Sequence, residues 1–182
     1  MNYEKLAAIQ EQYSYCEECK VHHSIGQGRV DAIGLLIVPK PISNNKEYPA
    51  TYDNSSSEFK ILCSIFNKVK LDIDDWYITP TVGCDKYCNK DGVLKANERL
   101  KKIIHFISPK IIVLSGAQSF YAFFGKVNKE KNIYKEIICD KYKVVYTKDL
   151  SEYLISKTSE DSNTAKYAED IFNTWKTVKE ML

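Results

Sequence analysis

The sequence predicts an α/β fold, a three-layer α/β/α sandwich with a central, mainly parallel four-stranded sheet. Short apolar runs rich in β-branched residues alternate with longer segments of helical period, which is the pattern of buried strands joined by helices. Parallel strands require such crossover connections. The chain has 182 residues, of which 44% are hydrophobic, enough for one sizeable core. We therefore expect one domain over residues 1–182.

Four short runs of apolar and β-branched residues are the predicted strands. They cover residues 33–38, 76–79, 110–115 and 143–147. The first run is followed by Pro39 and Pro41, which have no backbone N–H to donate to a sheet. This run therefore ends at Val38.

Four longer segments have the apolar spacing of helices. Residues 55–70 place apolar side chains at i, i+3, i+4 and i+7 behind serines that suit a helix cap. Residues 94–106 form a second predicted helix, which Pro109 stops. A shorter helix is expected from Gly116 through Phe124, and a closing helix over 165–181.

The formal net charge is only +2, so affinity for nucleic acid must come from local patches. The lysine-rich stretches 86–102 and 126–135 are candidates, although each is read more readily as a solvated face. No run reaches the roughly 18 apolar residues that span a bilayer. The first residues also lack the apolar run of a signal peptide. We expect a cytoplasmic protein without a membrane partner.

Two cysteine pairs are the strongest chemical signal in the chain. They are Cys16 with Cys19 and Cys84 with Cys88. Thiolates at these spacings, brought together by a fold, complete a four-sulfur site for zinc or an iron–sulfur cluster. The first pair lies in a polar segment with no core to fill, which argues against plain free thiols. Such a centre would tie the N-terminal arm, residues 1–30, to the domain.

The other two cysteines, Cys63 and Cys139, fit reduced thiols of a core. Disulfides have no support in a cytoplasmic chain. His22 and His23 lie beside the first pair, where a metal ligand and a solvent-facing residue are both open. His105 lies inside a predicted helix, where packing or exposure is favoured over catalysis.

Ligands of parallel sheets gather beyond the carboxyl ends of the strands. Four loops are therefore expected to line a site: residues 38–43, 79–84, 115–119 and 147–150.

Across these loops the chain resembles the iron–sulfur uracil-DNA glycosylases, families 4 and 5 of the uracil-DNA glycosylase superfamily. The resemblance extends from about residue 10 to the C-terminus and rests on the order of five pieces. These are Cys16-Glu-Glu-Cys19, Gly26-Gln-Gly28, Gly34-Leu-Leu-Ile-Val38, Trp76-Tyr-Ile-Thr-Pro-Thr-Val-Gly-Cys84 and Ser108-Pro-Lys-Ile-Ile-Val-Leu-Ser-Gly-Ala117. It implies a Cys-coordinated [4Fe-4S] cluster and a groove that binds DNA and accepts a flipped base. The family's fourth cluster cysteine corresponds to Ala96 here, with Cys88 the nearest substitute, so zinc stays open as the alternative.

The chemistry loops depart further from the family. The acidic position after the first strand holds Lys40, and the uracil-reading asparagine after the second is Pro80. The family's histidine, which stabilises the leaving base, falls near Thr147-Lys148-Asp149, where no histidine occurs. Excision needs an acid or polarised water and donors to the departing base. These losses predict that ordinary uracil excision is absent.

Two carboxylates are weak candidates for a relocated acid, Asp149 and Asp53. A capping role for Asp149 before the next helix is an equal alternative. Lys40 and Lys148 would flank the old pocket and suit a phosphate, with a plain surface lysine as an equal alternative for each. The remaining predicted DNA- or phosphate-binding residues are Lys86, Gly116 and Gln118.

The favoured hypothesis is a non-catalytic glycosylase-like module that binds DNA or a protein of replication, repair or transcription. The alternative is an active DNA glycosylase with a relocated acid, excising uracil or another damaged base. A third hypothesis is a cluster-bearing redox sensor.

Overall fold

The structure is a computed structural model that describes residues 2–13, 15–16, 21–22, 24, 26–41, 51–81, 90–124, 137–139, 142–159 and 161–182. Strands β1 (Tyr15–Cys16) and β2 (Val21–His22) form a small antiparallel pair. Within the described residues, the main sheet contains six strands. They are β3 (Gln27–Gly28), β4 (Gly34–Val38), β5 (Trp76–Pro80), β6 (Ile111–Ser115), β7 (Ile137–Cys139) and β8 (Tyr142–Thr147).

The spatial order of the main sheet is β3-β5-β4-β6-β8-β7. The central strands β5, β4, β6 and β8 are all parallel, and they are the four strands predicted from the sequence. The two short outer strands, β3 and β7, pair antiparallel with β5 and β8. The mainly parallel α/β fold is therefore confirmed, and the described part of the chain gives the sheet six strands where the sequence predicted four.

Helices cover both faces of this sheet. They are α1 (Asn2–Gln12), α2 (Ser57–Val69), α3 (Lys90–Ile107), α4 (Gly116–Phe124), α5 (Leu150–Thr158) and α6 (Thr164–Met181), with a 3-10 turn at Ile73–Asp75. The bounds of α2, α4 and α6 agree with the prediction to within two residues. Helix α3 begins four residues before the predicted start, because its first turn, Lys90-Asp-Gly-Val93, has a single apolar residue and carries no apolar period. Among the described residues, no helix is both long and apolar enough to cross a bilayer.

Side-chain alternation along the strands divides the core into two layers. In β4, Leu36 and Val38 face one layer, and Leu35 and Ile37 face the other. The first layer packs under α2, α5 and α6, and the second under α1, α3 and α4. Because successive strand residues point to opposite faces, near-continuous apolar runs fill both layers.

Three aromatic rings form the centre of the first layer. The ring centroids of Trp76 and Trp175 lie 5.1 Å apart, and the Phe66 ring lies 4.6 Å from Trp175 and 5.5 Å from Trp76. A Cβ at Gly34 would meet the Trp76 ring at 2.6 Å, so this strand position has room only for glycine. These contacts lock α2, α6 and β5 together.

Several described contacts hold the N-terminal arm. Leu6 of α1 is buried in the second layer, and the Lys102 ammonium donates to Gln12 Oε1 at 3.0 Å. The buried Arg99 guanidinium donates to the carbonyl of Ser24 at 2.8 Å, and β3 extends the sheet. The arm is therefore attached by packing and hydrogen bonds. The predicted metal attachment would add to these contacts.

Candidate functional site

The strand order creates a switch point between β4 and β6. From β4 the chain passes through α2 to β5, and from β5 it passes through α3 to β6 on the other side of β4. Helices α2 and α3 lie on opposite faces of the sheet. Connections that leave in opposite directions open a crevice at the carboxyl ends of the strands, where ligands of open α/β sheets bind. We call this region the carboxyl edge; its described residues are 39–41, 81, 116–119 and 147–149.

Three strand ends meet closely at the carboxyl edge. Gly116 begins α4 directly after β6 and has a φ of +75°. A Cβ there would lie 3.1 Å from Pro39 Cγ, 3.1 Å from Asp149 Cβ and 3.6 Å from Asp149 Cγ. The glycine therefore lets the ends of β4 and β8 approach it, and it places the Asp149 carboxyl beside the switch point.

Asp149 has two roles in this geometry. It is the N-cap of α5, and its Oδ1 accepts a hydrogen bond from the Ser151 backbone N–H at 3.3 Å. Its side chain is mostly buried, with the residue only 8% exposed. Burial, opposed by the hydrogen bond from Ser151 and reinforced by Glu152 and Glu58, raises the pKa of Asp149 from 3.8 to about 6. The cap expected from the sequence is confirmed, and this carboxyl titrates close to neutral pH.

Tyr52 lies under the same region and is 1% exposed. Its backbone N–H donates to Gln27 Oε1 at 3.0 Å, and its ring lies 6.2 Å from that of Phe59. Its hydroxyl is buried and has no hydrogen-bond partner among the described residues. Burial, together with the charges of Asp149 and Glu58, raises the pKa of Tyr52 well above its usual value, so the phenol stays protonated.

The hydroxyls of Ser151 and Thr147 belong to the same group of side chains as Asp149 and Tyr52. The Ser151 hydroxyl lies 3.5 Å from Glu58 Oε1, which links the first turns of α5 and α2. The Thr147 hydroxyl, at the end of β8, is buried and has no partner within the described part of the chain. We call Tyr52, Glu58, Thr147, Asp149 and Ser151 the acidic cluster. Its two carboxylates give it a negative field.

The end of β5 is held by a buried arginine. Arg99 donates one hydrogen bond to the carbonyl of Pro80 and another, at 3.2 Å, to that of Thr81. The Thr81 backbone N–H donates to the Val38 carbonyl at 2.7 Å, and its hydroxyl donates to Ser119 Oγ at 3.0 Å. Pro80 is therefore buried as a backbone element of the sheet, and its side chain supplies no hydrogen bond at the carboxyl edge.

The two predicted phosphate-binding lysines of the carboxyl edge have different surroundings. Lys40 is exposed just after β4. The Lys148 ammonium instead lies 2.6 Å from Asp170 Oδ2 and 4.1 Å from the centre of the Tyr167 ring, with the two ion-paired side chains only 20% and 15% exposed. This pair fastens β8 to α6. The contact gives Lys148 a structural role and no support for phosphate binding.

The other predicted site residues are spread around the edge. Asp53 Oδ1 accepts from the backbone N–H of Ser55 at 2.8 Å and from its hydroxyl at 2.6 Å, so Asp53 shapes the turn before α2. These bonds lower the pKa of Asp53, the wrong direction for a proton donor. Gln118 is exposed on the first turn of α4, and His105 is exposed on α3. Lys86 lies outside the described residues.

The predicted metal centre falls almost wholly outside the described residues. Cys16 ends β1 and only its backbone is described, and Cys19, Cys84 and Cys88 are not described. Four-thiolate ligation therefore stays a prediction. Cys63 is a half-buried free thiol on α2 and not part of the buried core that the sequence suggested, and burial raises its pKa, as suits an unreactive thiol.

Sequence reasoning singled out Asp149 and missed Tyr52 and Glu58. Tyr52 precedes Asp53 in a loop that carries no apolar period, and Glu58 has the ordinary signature of a first-turn helix residue. One sequence signal was present, a tyrosine within a polar loop just before a capping serine. The sequence as a whole matches no known family model and none of the curated proteins with which it was compared.

Proposed function

We propose that this chain is a uracil-DNA glycosylase-like module that binds nucleic acid and does not excise uracil. The observation that carries the proposal is the state of Pro80, where the resemblance places the uracil-reading asparagine. Pro80 is buried at the end of β5, and its carbonyl is occupied by the Arg99 guanidinium. A base in the crevice would find no side-chain amide at this position.

The other chemistry positions support the same proposal. Lys40 stands where the resemblance expects an acid. Lys148 is ion-paired with Asp170, and Asp149 caps α5. Loss of a positioned acid or of a donor to the leaving group typically costs about 10²-fold or more in rate. Combined losses of this kind suit a domain that has kept a binding groove and lost turnover.

In this proposal the partner is the molecule that binds in the groove. DNA is the first choice, and a protein of the replication, repair or transcription machinery is the second. The resemblance supplies both. Among the described residues of the carboxyl edge, Lys40 is the exposed cation available to a phosphate.

We also propose that Cys16, Cys19, Cys84 and Cys88 hold one metal centre, a [4Fe-4S] cluster with zinc as the alternative. The donor set of four thiolates fits either group. A bound centre would cross-link the N-terminal arm to the segment that follows β5, adding to the contacts made by α1 and β3. Thiolate ligands must stay reduced, which suits a cytoplasmic location.

An active glycosylase is the second candidate, and the Asp149 environment favours it. A buried carboxyl with a pKa of about 6 at a sheet switch point has the character of a general base poised near neutral pH. In this alternative Asp149 would activate water for attack on an N-glycosidic bond.

An excision assay separates the two candidates. Purified protein is incubated with single- and double-stranded oligonucleotides that contain uracil or hypoxanthine, and abasic sites are counted after alkaline cleavage. We expect no product above background. Product formation that disappears in Asp149→Asn and persists in Asp53→Asn would replace the binding proposal with the enzyme.

Binding is tested on the same samples by fluorescence anisotropy with a labelled oligonucleotide across a salt titration. Neutralised phosphates release counterions, so affinity should fall as salt rises. Lys40→Ala should flatten the log–log slope by about one unit, whereas Lys157→Ala, an exposed lysine of α5, serves as the matched control. Absence of binding at low salt would favour a protein partner.

A further inference from the structure

Arg99 of α3 is a buried charged side chain that joins two distant parts of the chain. The residue is 2% exposed, and one terminal nitrogen of its guanidinium donates to the Ser24 carbonyl at 2.8 Å. The other terminal nitrogen donates to the carbonyls of Pro80 and Thr81, the latter at 3.2 Å. A planar guanidinium directs donors from two nitrogens at once, which a lysine ammonium does not do. Arg99 therefore binds the N-terminal arm and the end of β5 together.

The antiparallel register of β3 and β5 brings the same two positions side by side. Gln27 pairs with Ile78, so the position three residues before Gln27, Ser24, corresponds to the position three residues after Ile78, which is Thr81. Ser24 is held a second time, because its hydroxyl and the Thr51 hydroxyl share a buried hydrogen bond of 2.8 Å. The arm is therefore fixed beside the end of β5.

The two segments that Arg99 joins are the ones that carry the cysteine pairs. Cys84 follows Thr81 after three residues, and Cys19 precedes Ser24 by five. Three residues of chain reach at most about 11 Å and five at most about 18 Å. Both pairs are therefore tethered within reach of a common point beside Arg99.

The described backbone of the first pair fits a shared centre. Cys16 ends β1 and is paired with Val21 of β2, so the Cys16-Glu-Glu-Cys19 motif leads from one strand of a small antiparallel pair toward the other. Val21 lies three residues before Ser24, the attached part of the arm. The side chains of all four cysteines lie outside the described residues, and the fit rests on this backbone and on the four-thiolate donor set.

We propose that Arg99 is a positioning residue for the four-cysteine metal centre: its guanidinium holds the two cysteine-bearing segments together, so that both pairs reach one metal centre. This inference rests on the proposed metal centre and names the group that assembles it. Arg99 acts through the backbone carbonyls that it binds and is not a ligand. Removing a group that orients metal ligands typically weakens metal binding by about 10–100-fold.

Release of metal to a chelator measures this role. The purified protein is mixed anaerobically, without denaturant, with a chromophoric chelator of ferrous iron or of zinc, and absorbance follows the release. Arg99→Lys keeps the charge and loses the planar fork that reaches both segments. We expect this variant to release metal at least about tenfold faster than the parent protein.

The other arginine of the chain provides a matched control. Arg29 also lies in the N-terminal arm, but it is exposed, and its guanidinium donates to the Asp31 carboxylate at 2.7 and 2.9 Å. Arg29→Lys makes the same chemical change without touching the cysteine-bearing segments. The rate of metal release should therefore equal that of the parent.

Two further variants separate positioning from a general loss of stability. Phe66→Leu weakens the first core layer, on the face of the sheet opposite α3; it should lower the urea midpoint and leave metal release unchanged. Ser24→Ala removes the hydrogen bond to Thr51 and keeps Arg99. It decides the matter if Arg99→Lys does not fold: release about threefold faster than in the parent supports the inference, and an unchanged rate refutes it.

The outcomes distinguish this inference from the metal centre on which it rests. A parent protein that contains metal and a folded Arg99→Lys variant that releases it at the parental rate would refute only the role of Arg99. Equal acceleration in Phe66→Leu, at the same urea midpoint as Arg99→Lys, would also refute that role. A purified parent protein without metal would refute the metal centre, and the inference with it.

Discussion

Replacing Asp149 by asparagine should stabilise the protein at neutral pH and have little effect in acid. In the folded chain the carboxyl is buried beside Glu152 and Glu58, which moves its pKa from 3.8 to about 6. Asparagine keeps the cap to Ser151 and carries no charge. The substitution therefore removes the cost of ionising this buried group.

The sign and size of this change in the free energy of unfolding follow from proton linkage. The pKa is higher in the folded state, so between pH 3.8 and 6 the folded chain binds more protons than the unfolded chain, and stability falls as pH rises through this window. The ionisation cost is about 0.5 kcal/mol at pH 4 and about 3 kcal/mol at pH 7.5 for these two pKa values. Asp149→Asn should recover up to this amount at each pH.

Urea unfolding of parent and variant at pH 4, 5, 6 and 7.5 measures the difference directly. Other titrating groups are common to both proteins and cancel in the comparison. Asp53→Asn is a control of opposite sign, because hydrogen bonds from Ser55 lower the pKa of Asp53 and its contribution is lost as pH falls. A stability difference between parent and Asp149→Asn that does not change with pH would show that this carboxyl is not perturbed by burial.

The remaining predictions concern three other parts of the molecule. Gly116→Ala should cost about 1–3 kcal/mol in urea unfolding, because φ is +75° and the new methyl would press on Asp149 and Pro39; no loss would show that this turn relaxes freely. Lys148→Met should cost about 1–3 kcal/mol by removing the ammonium group that lies against the Asp170 carboxylate in a largely buried place, and adding Asp170→Asn should restore part of the loss; simple additivity of the two changes would exclude coupling. Metal analysis should find iron with sulfide, or zinc, in the purified protein and a reduced content in Cys84→Ser, whereas a metal-free parent unaffected by this change would remove the metal centre.

The strands and layers could be predicted because buried parallel strands have a strong local signature. The run from Gly34 to Val38 is apolar on both faces, and its bounds were found to within one residue. Strand β3, by contrast, is the pair Gln27–Gly28, which has no apolar pattern and exists only because β5 offers it an edge. Such an element depends on tertiary contact, which a local pattern does not contain.

The candidate site likewise has features that the sequence could predict and features that it could not. Asp149 could be proposed from its place after a predicted strand and before a helix. The ion-pair partner of Lys148 could not be predicted, because Asp170 lies 22 positions later in the chain, on helix α6. The sequence pattern of that helix does not show which residue Asp170 contacts. The burial of the Tyr52 hydroxyl could not be predicted from local sequence either, because it depends on how the chain between β4 and α2 packs.

The short outer strands limit how a partner can approach the sheet. Strand β3 has two residues and β7 has three, and each runs antiparallel to its neighbour. A peptide that joins a sheet as an extra strand gains affinity from a row of backbone hydrogen bonds, and these described edges offer only a brief row. Self-association through edge-to-edge pairing is disfavoured for the same reason. Through the described residues, a binding partner would therefore be recognised mainly by side chains, either at the ends of the strands or on the outer faces of the helices.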